Sequence, residues 1–561
     1  MEFAAGNDAQ NEPPRKASWG FVLLPYLLTS GLVVGILAGD PLHYPPLSAL
    51  AVTWGAALAA VLAIHLVAAL LVWKSPAREL IVCAVIAWLG LYGYVQLRMQ
   101  HLLPATQFLA AWSFGFLLLI WLCWRLRHER WLQGAATFAG FASLALVGMQ
   151  GYQIGAAIWH DRQQLEQSPV AVMLPSIPAG ESPIAEGAEL PDIYYIVVDA
   201  YGRKDVLAEL YDHDNGQFLN DLREREFYIA DQSRANYHLT ELSLASSLNM
   251  THLPEAGLER FRTRAPVRQM IQDNAVSRFL SQRGYRTVSI ASGKADTECR
   301  QFDRFVSPAP GLSIFQDVLL HTTAVPTLVE LLPRDVPRPA DFHRRRLTAT
   351  LAALPAAAGD AEQPSFVLSH LMSPHPPFVF DAEGAAVDIH GQYLVADGMG
   401  FLSCHHGDRQ LYRESYAAQL AYLNQRLLNT IDNILAGDRE AVIVLQGDHG
   451  PRSRMNFDDP TKTDLTEAMG ILNAIRLPKD HNGPFYPEMT PVNTFALILN
   501  HYFATDIRLQ PDRSFFETDA YQFVDVTEAA RQPIRPEVLK LPAETPSSEN
   551  REEQRVTLNQ P

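Results

Sequence analysis

The N-terminal region is almost free of charge, and this feature constrains the fold more than any other. The 107 residues from Ser18 to Trp124 contain five charged side chains, which are Asp40, Lys74, Arg78, Glu79 and Arg98. Ionisable side chains are costly in a hydrocarbon core, so a stretch this poor in them is typical of a membrane domain. A set of buried core helices in a soluble protein is the less favoured alternative.

Five apolar runs divide this region. They extend from Trp19 to Ala38, Ala49 to Trp73, Leu80 to Leu97, Gln107 to Trp124 and about Gly134 to Trp159. A helix needs about 17 to 25 apolar residues to cross a hydrocarbon core of about 30 Å, and each run is near that length. The sequence therefore predicts a cytoplasmic N-terminus at residues 1–17 and a five-span transmembrane domain at residues 18–160.

The cations that flank the runs predict the orientation. One side of the membrane carries Arg15, Lys16, Lys74, Arg78, Arg125, Arg127 and Arg130. The other side carries Arg98 alone. Loops rich in Lys and Arg stay in the cytoplasm, so an odd number of spans places everything after Trp159 outside it. The first run is too long, and too promptly followed by a second, for a cleaved signal peptide.

The remainder of the chain is acidic. Residues 1–160 contain eight Lys or Arg against six Asp or Glu, whereas residues 161–561 contain 37 against 55. An acidic domain binds polyanions poorly, which argues against nucleic acid as a partner. Clustered Pro, Ala, Ser and Glu predict a linker at residues 161–190, and a similar composition predicts a partly disordered tail at residues 531–561. Four cysteines exclude a disulfide-rich scaffold.

Short β-rich runs alternate with helical stretches from Pro191 onward. The β-rich runs are Ile193 to Val198, Tyr285 to Ile290, Ser365 to Leu371 and Ala441 to Leu445. The helical stretches lie near Gly216 to Glu226, Pro266 to Arg283 and Leu411 to Leu435. This alternation predicts an α/β domain at residues 191–530 with a largely parallel central sheet. Ligands bind beyond the carboxyl ends of the strands in such sheets.

Three of the predicted strands end in side chains that can bind a metal ion. Asp199 follows the first strand, Asp448 and His449 follow AVIVLQ, and His375 follows SFVLSHL between two prolines. Carboxylates and imidazoles are common metal ligands, and glycines around Asp448 and His449 allow a tight turn. Each motif alone is compatible with an ordinary loop, and His370 inside its strand with an ordinary core position. Their coincidence favours a metal site.

A fourth element, TELSLASSLN, begins at Thr240. Leu242, Ala245 and Leu248 repeat at helical spacing, which predicts a helix with Thr240 at its N-cap. There the hydroxyl lies in the positive end of the helix field, and an adjacent divalent ion would lower its pKa further. An ordinary capping threonine is the alternative.

These motifs in this order resemble the sulfatase branch of the alkaline phosphatase superfamily. The stretches are IYYIVVDAYGR, TELSLASSLN, SFVLSHLMSPHPPF and AVIVLQGDHGPR. With the five spans, the chain resembles more narrowly the lipoteichoic acid synthases and phosphoethanolamine transferases of bacterial envelopes. The resemblance implies an alkaline-phosphatase-like fold in a bacterial inner-membrane protein, with its catalytic domain in the periplasm. It also implies a nucleophile at Thr240, metal ligands at Asp199, Thr240, Asp448 and His449, and a substrate-facing histidine at His375.

Departures from the family narrow the expected activity. The Cys-x-Pro-x-Arg or Ser-x-Pro-x-Arg motif of true sulfatases is replaced by Thr240 and its neighbours, so sulfate-ester hydrolysis is not expected. The membrane-bound transferases usually have Glu where this chain has Asp199. Phosphoethanolamine transferases have another histidine soon after Asp-His-Gly, whereas here the next is His481 and the nearest basic substitute is Arg452.

The resemblance and the ligand types together predict an enzyme with one divalent ion, Mn²⁺ or Zn²⁺. We expect Thr240 to attack a phospholipid donor, and the phosphoryl head group to pass through phosphothreonine to an envelope glycan or lipid. A hydrolase that uses water as acceptor and a non-catalytic scaffold are the alternatives. Substrate contacts are predicted with less support for Arg452, Asn236 and Arg203. A Cys299–Cys404 disulfide is also compatible with an extracytoplasmic location.

Overall fold

The structure is a computed structural model that describes most of the chain. The described residues are 19–39, 45, 47–71, 77–99, 103–125, 130–167, 190–333, 336–359, 362–387, 401–402, 407–478 and 483–534. The chain divides into two compact units. A helical unit comprises Met1–Trp159 and Leu319–Val336, and an α/β unit comprises His160–Val318 and Pro337–Pro561.

Long apolar helices form the N-terminal region. They are α1 (Trp19–Gly39), α2 (Leu47–Leu71), α3 (Ala77–Met99), α4 (Ala105–Arg125) and α5 (Arg130–Gln167). Among the described residues, Leu47–Leu70 and Thr137–Gln167 are long and apolar enough to cross a membrane. Shorter apolar stretches occupy Val22–Ala38, Ile81–Gln96 and Thr106–Leu122. The predicted runs are thus helical, and crossing by all five stays a prediction.

A later part of the chain, residues 319–336, packs within the helical unit. It contains the end of α11 (Ile314–His321) and α12 (Val325–Glu330). Gly93 N in α3 donates a hydrogen bond to Thr322 O over 2.9 Å, and Ala324 N donates to Leu89 O over 2.9 Å. A Cβ added at Gly93 would lie 2.0 Å from His321 O, so only glycine allows this approach.

The α/β unit is built on a mixed sheet that is parallel over most of its width. Its strands are β1 (Asp192–Val198), β2 (Phe227–Ile229), β3 (Arg286–Ile290), β4 (Arg304–Val306), β5 (Ser365–Leu371), β6 (Ala441–Gln446) and β7 (Asn473–Arg476). In the described part of the chain their order is β2-β7-β6-β1-β5-β3-β4. β7 runs antiparallel to its neighbours, β6 and β2. A separate hairpin pairs β8 (Phe515–Asp519) with β9 (Gln522–Asp525).

Helices connect and cover these strands. The α-helices are α6 (Lys204–Tyr211), α7 (Gly216–Glu224), α8 (Thr240–Asn249), α9 (Ala265–Gln272), α10 (Ala275–Gln282), α13 (Pro339–Ala353), α14 (Arg409–Leu435), α15 (Leu465–Met469), α16 (Pro491–Phe503) and α17 (Thr527–Ala530). Short 3₁₀ turns occupy Leu253–Glu255, Leu258–Arg260, Ala295–Thr297, Leu354–Ala356 and Pro460–Lys462. The predicted α/β architecture with a mostly parallel sheet is confirmed.

Each face of the sheet has its own hydrophobic core. Alternate residues of β1 divide between them, with Tyr195 on the face covered by α8 and α16, and Ile196 on the face covered by α14. Every residue of β1, β5 and β6 is buried. A strand buried on both faces needs apolar residues at successive positions, which explains why these runs are continuous and recognisable.

The structure differs from the sequence predictions at several boundaries. The helical stretch predicted near Pro266 to Arg283 consists of two helices, α9 and α10. Asn274 separates them and caps α10 by accepting from Ser277 N over 2.7 Å. α5 continues to Gln167, into the predicted linker. Residues 168–189 of that linker and 535–561 of the predicted tail lie outside the described residues. So does Cys404, and the predicted disulfide to Cys299 therefore stays a prediction.

Candidate functional site

The sheet topology brings the predicted ligands together. β5, β1 and β6 are adjacent and parallel, so their carboxyl ends share one edge of the sheet. Asp199 follows β1, His375 is the fourth residue after β5, and Asp448 and His449 follow β6. The strands thus place chemically active side chains from three distant parts of the chain beside one another.

Three side chains form a compact group that can hold a metal ion. One ligand atom from each of Asp199, Asp448 and His449 lies within 4.8 Å of the other two. His449 Nε2 lies 3.2 Å from Asp199 Oδ1 and 3.5 Å from Asp448 Oδ2. All three residues are buried. A buried group of this composition is suited to a divalent cation.

The hydrogen bonds around this group leave acceptor atoms facing one another. His449 Nδ1 donates to Gly450 O over 2.9 Å, which leaves a lone pair on Nε2. Asp448 Oδ1 accepts from Ala200 N and from His449 N. Asp199 Oδ1 and Asp448 Oδ2 are buried without a well-aligned hydrogen-bond donor. Buried oxygens of this kind are costly unless a cation compensates them, so the residues present fit a metal ion.

The electrostatics keep Asp199 ionised. Burial alone would raise the pKa of Asp199, but three neighbouring imidazoles, with His375 first among them, hold it well below its usual range because they can carry positive charge at acidic pH. His370 is one of the three, because its Nε2 lies 3.2 Å from Asp199 Oδ2. Its Nδ1 lies 3.0 Å from Thr297 Oγ1. A carboxylate held on its second oxygen in this way has a fixed orientation.

Thr240 lies at the same group of atoms. Its Oγ1 is 3.5 Å from His449 Nε2, and the residue is buried. The N-cap prediction is wrong, because α8 begins at Thr240 and Leu239 occupies the capping position. The hydroxyl points to His449 instead of capping the helix. The first turn still places Thr240 at the positive end of the helix dipole, which favours negative charge on its oxygen.

His375 lies at the edge of this group. Its Nδ1 donates to Pro376 O over 2.6 Å, and its ring centre lies 6.2 Å from that of His449. Burial lowers the pKa of His375, and Arg452 and His449 lower it further, against the opposite effect of Asp199. The imidazole is therefore neutral near pH 7, with a lone pair on Nε2. It is suited to accept a proton before it donates one.

The three weaker substrate candidates differ in their surroundings. Arg452 is buried, donates to His238 O, and has its guanidinium carbon 5.3 Å from the ring centre of Phe457. Arg452 lies three residues after His449 in the loop that follows β6, and its charge lowers the pKa of His375.

Asn236 and Arg203 are used inside the domain. The Asn236 amide bonds to Thr490 Oγ1, Arg513 O and Val492 N. Arg203 bonds to both oxygens of Asp205 and to Ser233 O. These contacts support a structural role for both residues.

The sequence motifs assigned no role to two residues near the site, Lys294 and His370. Lys294 follows β3, and its Nζ lies 3.4 Å from Glu241 Oε2 beside Thr240. Burial alone would lower the pKa of Lys294, but Glu241 and nearby aspartates raise it, so its charge is retained. The rule that ligands lie at strand ends could have found Lys294. Successive side chains of a strand point to opposite faces of the sheet, so His370 lies on the same face as Phe366 and Leu368. This is the face that α8 covers.

The solved structures to which this chain is similar include three bacterial proteins. The C-terminal periplasmic domain of EcEptC from Escherichia coli, in complex with Zn, is 11% identical, covers 64% of this chain and 100% of its own, and has a TM-score of 0.41. The integral membrane lipooligosaccharide phosphoethanolamine transferase A of Neisseria meningitidis is 10% identical, with coverages of 88% and 97% and a TM-score of 0.39. The lipoteichoic acid synthase LtaP of Listeria monocytogenes is 14% identical, with coverages of 58% and 77% and a TM-score of 0.34. Likenesses this remote do not define the activity of this chain.

Sequence comparison identifies the family. No curated protein matches the chain. The sequence model of the sulfatase family matches residues 191–488, which include every residue of the candidate site. The expectation of an enzyme is thereby confirmed. Because the match covers more than half of the 561 residues, the chain belongs to the sulfatase family.

Proposed function

We propose that this protein is a membrane-anchored transferase that moves a phosphoryl head group from a phospholipid to an envelope glycan or lipid. The observation that carries the proposal is the convergence of Thr240 Oγ1 with the ligand atoms of Asp199, Asp448 and His449. These atoms come from separate parts of the chain and have few hydrogen-bond donors among them. A nucleophilic hydroxyl beside a cation-binding group is the arrangement that displacement at phosphorus requires.

One divalent ion would be held by Asp199, Asp448 and His449, with Thr240 as the fourth ligand. Oxygen ligands dominate this set, which suits Mn²⁺ and also admits Zn²⁺. When bound, the ion supplies positive charge that favours the Thr240 alkoxide and offsets charge on the phosphoryl oxygens. His370 orients Asp199, and the Gly450 carbonyl fixes the tautomer of His449.

The transfer consists of two displacements at phosphorus. In the first, Thr240 Oγ1 forms a bond to phosphorus, and the bond from phosphorus to the lipid alcohol oxygen breaks. In the second, an acceptor hydroxyl forms the new bond, and the bond to Thr240 Oγ1 breaks. Each displacement moves one proton from the attacking oxygen to the departing one. Neutral His375 can accept that proton at Nε2 and return it. Arg452 and Lys294 supply positive charge for the phosphate.

The helical region supports the proposed lipid donor and membrane location. The long apolar helices support anchoring in the inner membrane through five spans, with the N-terminus in the cytoplasm and residues 191–530 in the periplasm. A membrane anchor raises the effective concentration of a lipid donor near the site. Water in place of the acceptor hydroxyl would make the same site a hydrolase. A non-catalytic scaffold is disfavoured, because nucleophile, ligands and His375 are all retained.

Intact mass of the full-length protein tests the proposal directly. Incubation with phospholipid vesicles and Mn²⁺ should add one phosphoryl head group, and peptide mapping should place it on Thr240. Thr240→Ala should carry no adduct, and Thr240→Ser should carry one. An equal adduct on Thr240→Ala would exclude this nucleophile. Decay of the adduct in water alone, without faster decay when envelope glycan or lipid is added, would favour the hydrolase.

A further inference from the structure

The C-terminal end of α5 belongs to the α/β unit and carries a deeply buried carboxylate. Asp161 is 1% exposed. Its Oδ1 accepts from Arg262 N over 2.9 Å, and its Oδ2 accepts from Thr263 N over 2.8 Å and Thr263 Oγ1 over 2.6 Å. A buried carboxylate is tolerated only where such donors compensate it, so Asp161 fixes residues 262–263 in one conformation.

The same short segment is held at its other end. His160 Nε2 donates to Arg260 O over 3.0 Å. The Tyr521 hydroxyl donates to Thr263 O over 2.5 Å. Residues 260–263 are thus held between the end of α5 and the β8–β9 hairpin, immediately before α9.

The next residue, Arg264, connects this segment to the candidate active site. It is 1% exposed and forms two hydrogen bonds with the carboxylate of Glu517. Its guanidinium carbon lies 4.9 Å from the ring centre of Tyr521. On the other side, Arg264 Nε lies 3.7 Å from Glu241 Oε1. Paired carboxylates raise the pKa of Arg264 despite its burial, so the charge persists.

Glu241 is the residue after Thr240, in the first turn of α8. It is 2% exposed and lies between two cations, Arg264 and Lys294. Buried charges are stable only when every partner is in place, so such a group of alternating charges tolerates little displacement. The position of Glu241 is therefore set by Arg264, and the position of Arg264 by the segment that Asp161 holds.

We infer that Asp161 is a positioning residue for the nucleophile. The contacts run from Asp161 through residues 262–264 to Glu241 and so to Thr240. The end of α5 therefore acts on the site through the hydrogen bonds of Asp161, the backbone to Arg264 and the ion pair between Arg264 and Glu241. The inference rests on the proposed function, because it assumes that Thr240 is the attacking group.

The test compares Asp161→Asn and Asp161→Ala with Glu166→Gln in the full-length protein. Glu166 is a matched control on the same helix end, because its ion pair with Arg162 is exposed. Small misplacements of a reacting group can cost about 100-fold in rate, so kcat for head-group transfer should fall at least about tenfold in both Asp161 variants. KM for the phospholipid and affinity for Mn²⁺ should change less than about twofold, because Asp161 touches neither. Amide hydrogen exchange should accelerate at residues 260–264 and 240–243.

Two results would overturn the inference. The first is that kcat and exchange at residues 240–243 match those of Glu166→Gln. The second is that Mn²⁺ affinity and thermal stability fall in parallel with kcat, which would indicate general unfolding. If the Asp161 variants do not fold, Thr263→Val removes one of the three hydrogen bonds and gives the same readouts. Hydrogen exchange does not depend on activity, so inactivity of the wild-type protein would contradict the proposed function, while exchange at residues 240–243 would still support or overturn this inference.

Discussion

The α/β unit buries its apolar strands, whereas the helical unit exposes many large apolar side chains. In the α/β unit, β1, β5 and β6 are buried throughout, and polar groups occupy the strand ends. In the helical unit, Leu70 and Phe138 each expose 75% of their surface, and Phe114 exposes 71%. Side chains of this kind are exposed in water only at a cost, whereas lipid solvates them. The comparison shows that the α/β unit is organised around its own interior, and it supports lipid as the surroundings of the helical unit.

The largest effect is expected where the α/β unit concentrates its chemistry. Thr240→Ala should lower head-group transfer by at least about a thousandfold, because the attacking oxygen is removed. Mn²⁺ affinity should fall much less, because Asp199, Asp448 and His449 remain. Transfer assays and metal titration on the same preparation measure both. Full activity in Thr240→Ala would contradict the assignment.

Removal of a metal ligand should affect binding and rate together. Asp448→Asn should weaken Mn²⁺ binding by about 100-fold or more and lower transfer at limiting metal, because one anionic oxygen is lost. Excess Mn²⁺ should restore part of the rate. Asp458→Asn, at an exposed position in the loop after β6, is the control and should bind metal normally. Equal affinity in the two variants would mean that Asp448 is not a ligand.

The stability of the helical unit should depend on the close backbone contact between Gly93 and His321. Gly93→Ala should destabilise the packing of residues 319–336 by about 1 to 3 kcal/mol, because the new Cβ would lie 2.0 Å from His321 O. Gly115→Ala in α4 meets nothing within 4 Å and should stabilise its helix by about 0.5 to 1 kcal/mol. Thermal unfolding in detergent should therefore shift in opposite directions. Shifts of the same sign would show that residues 319–336 do not pack on α3.

The smallest effect concerns the pH dependence of the α/β unit. Burial lowers the pKa of His343 to about 3, so the folded protein binds fewer protons there than the unfolded chain between pH 6.5 and pH 3. The contribution of neutral His343 to the free energy of unfolding is therefore fully present above pH 6.5. It is lost as the pH falls from 6.5 to 3. Between pH 6.5 and 5 the loss should be about 1 kcal/mol after allowance for partial exposure. Denaturant unfolding of His343→Gln should show a shallower pH dependence, and an unchanged slope would contradict this account.

The predictable parts of the site are those whose signals are local. Asp199, Asp448 and His449 each follow a continuous apolar strand, and parallel pairing brings strand ends to one edge. The sequence analysis did not predict the strands that lack such a signal. β7 is a four-residue strand, and β2 has three residues, so neither has a usable periodicity. The break at Asn274 was missed because a capping side chain can also occur inside a longer helical pattern.

By itself, the sequence determined the apolar helices, the mostly parallel α/β architecture and the candidate side chains at the strand ends, because these depend on composition and short-range periodicity. Tertiary structure alone decided which of them meet. The approach of His370 to Asp199 and the pairing of Arg264 with Glu517 join residues 171 and 253 positions apart. Such contacts depend on how the chain crosses between strands and on which buried charge finds a partner, and neither leaves a pattern in neighbouring residues.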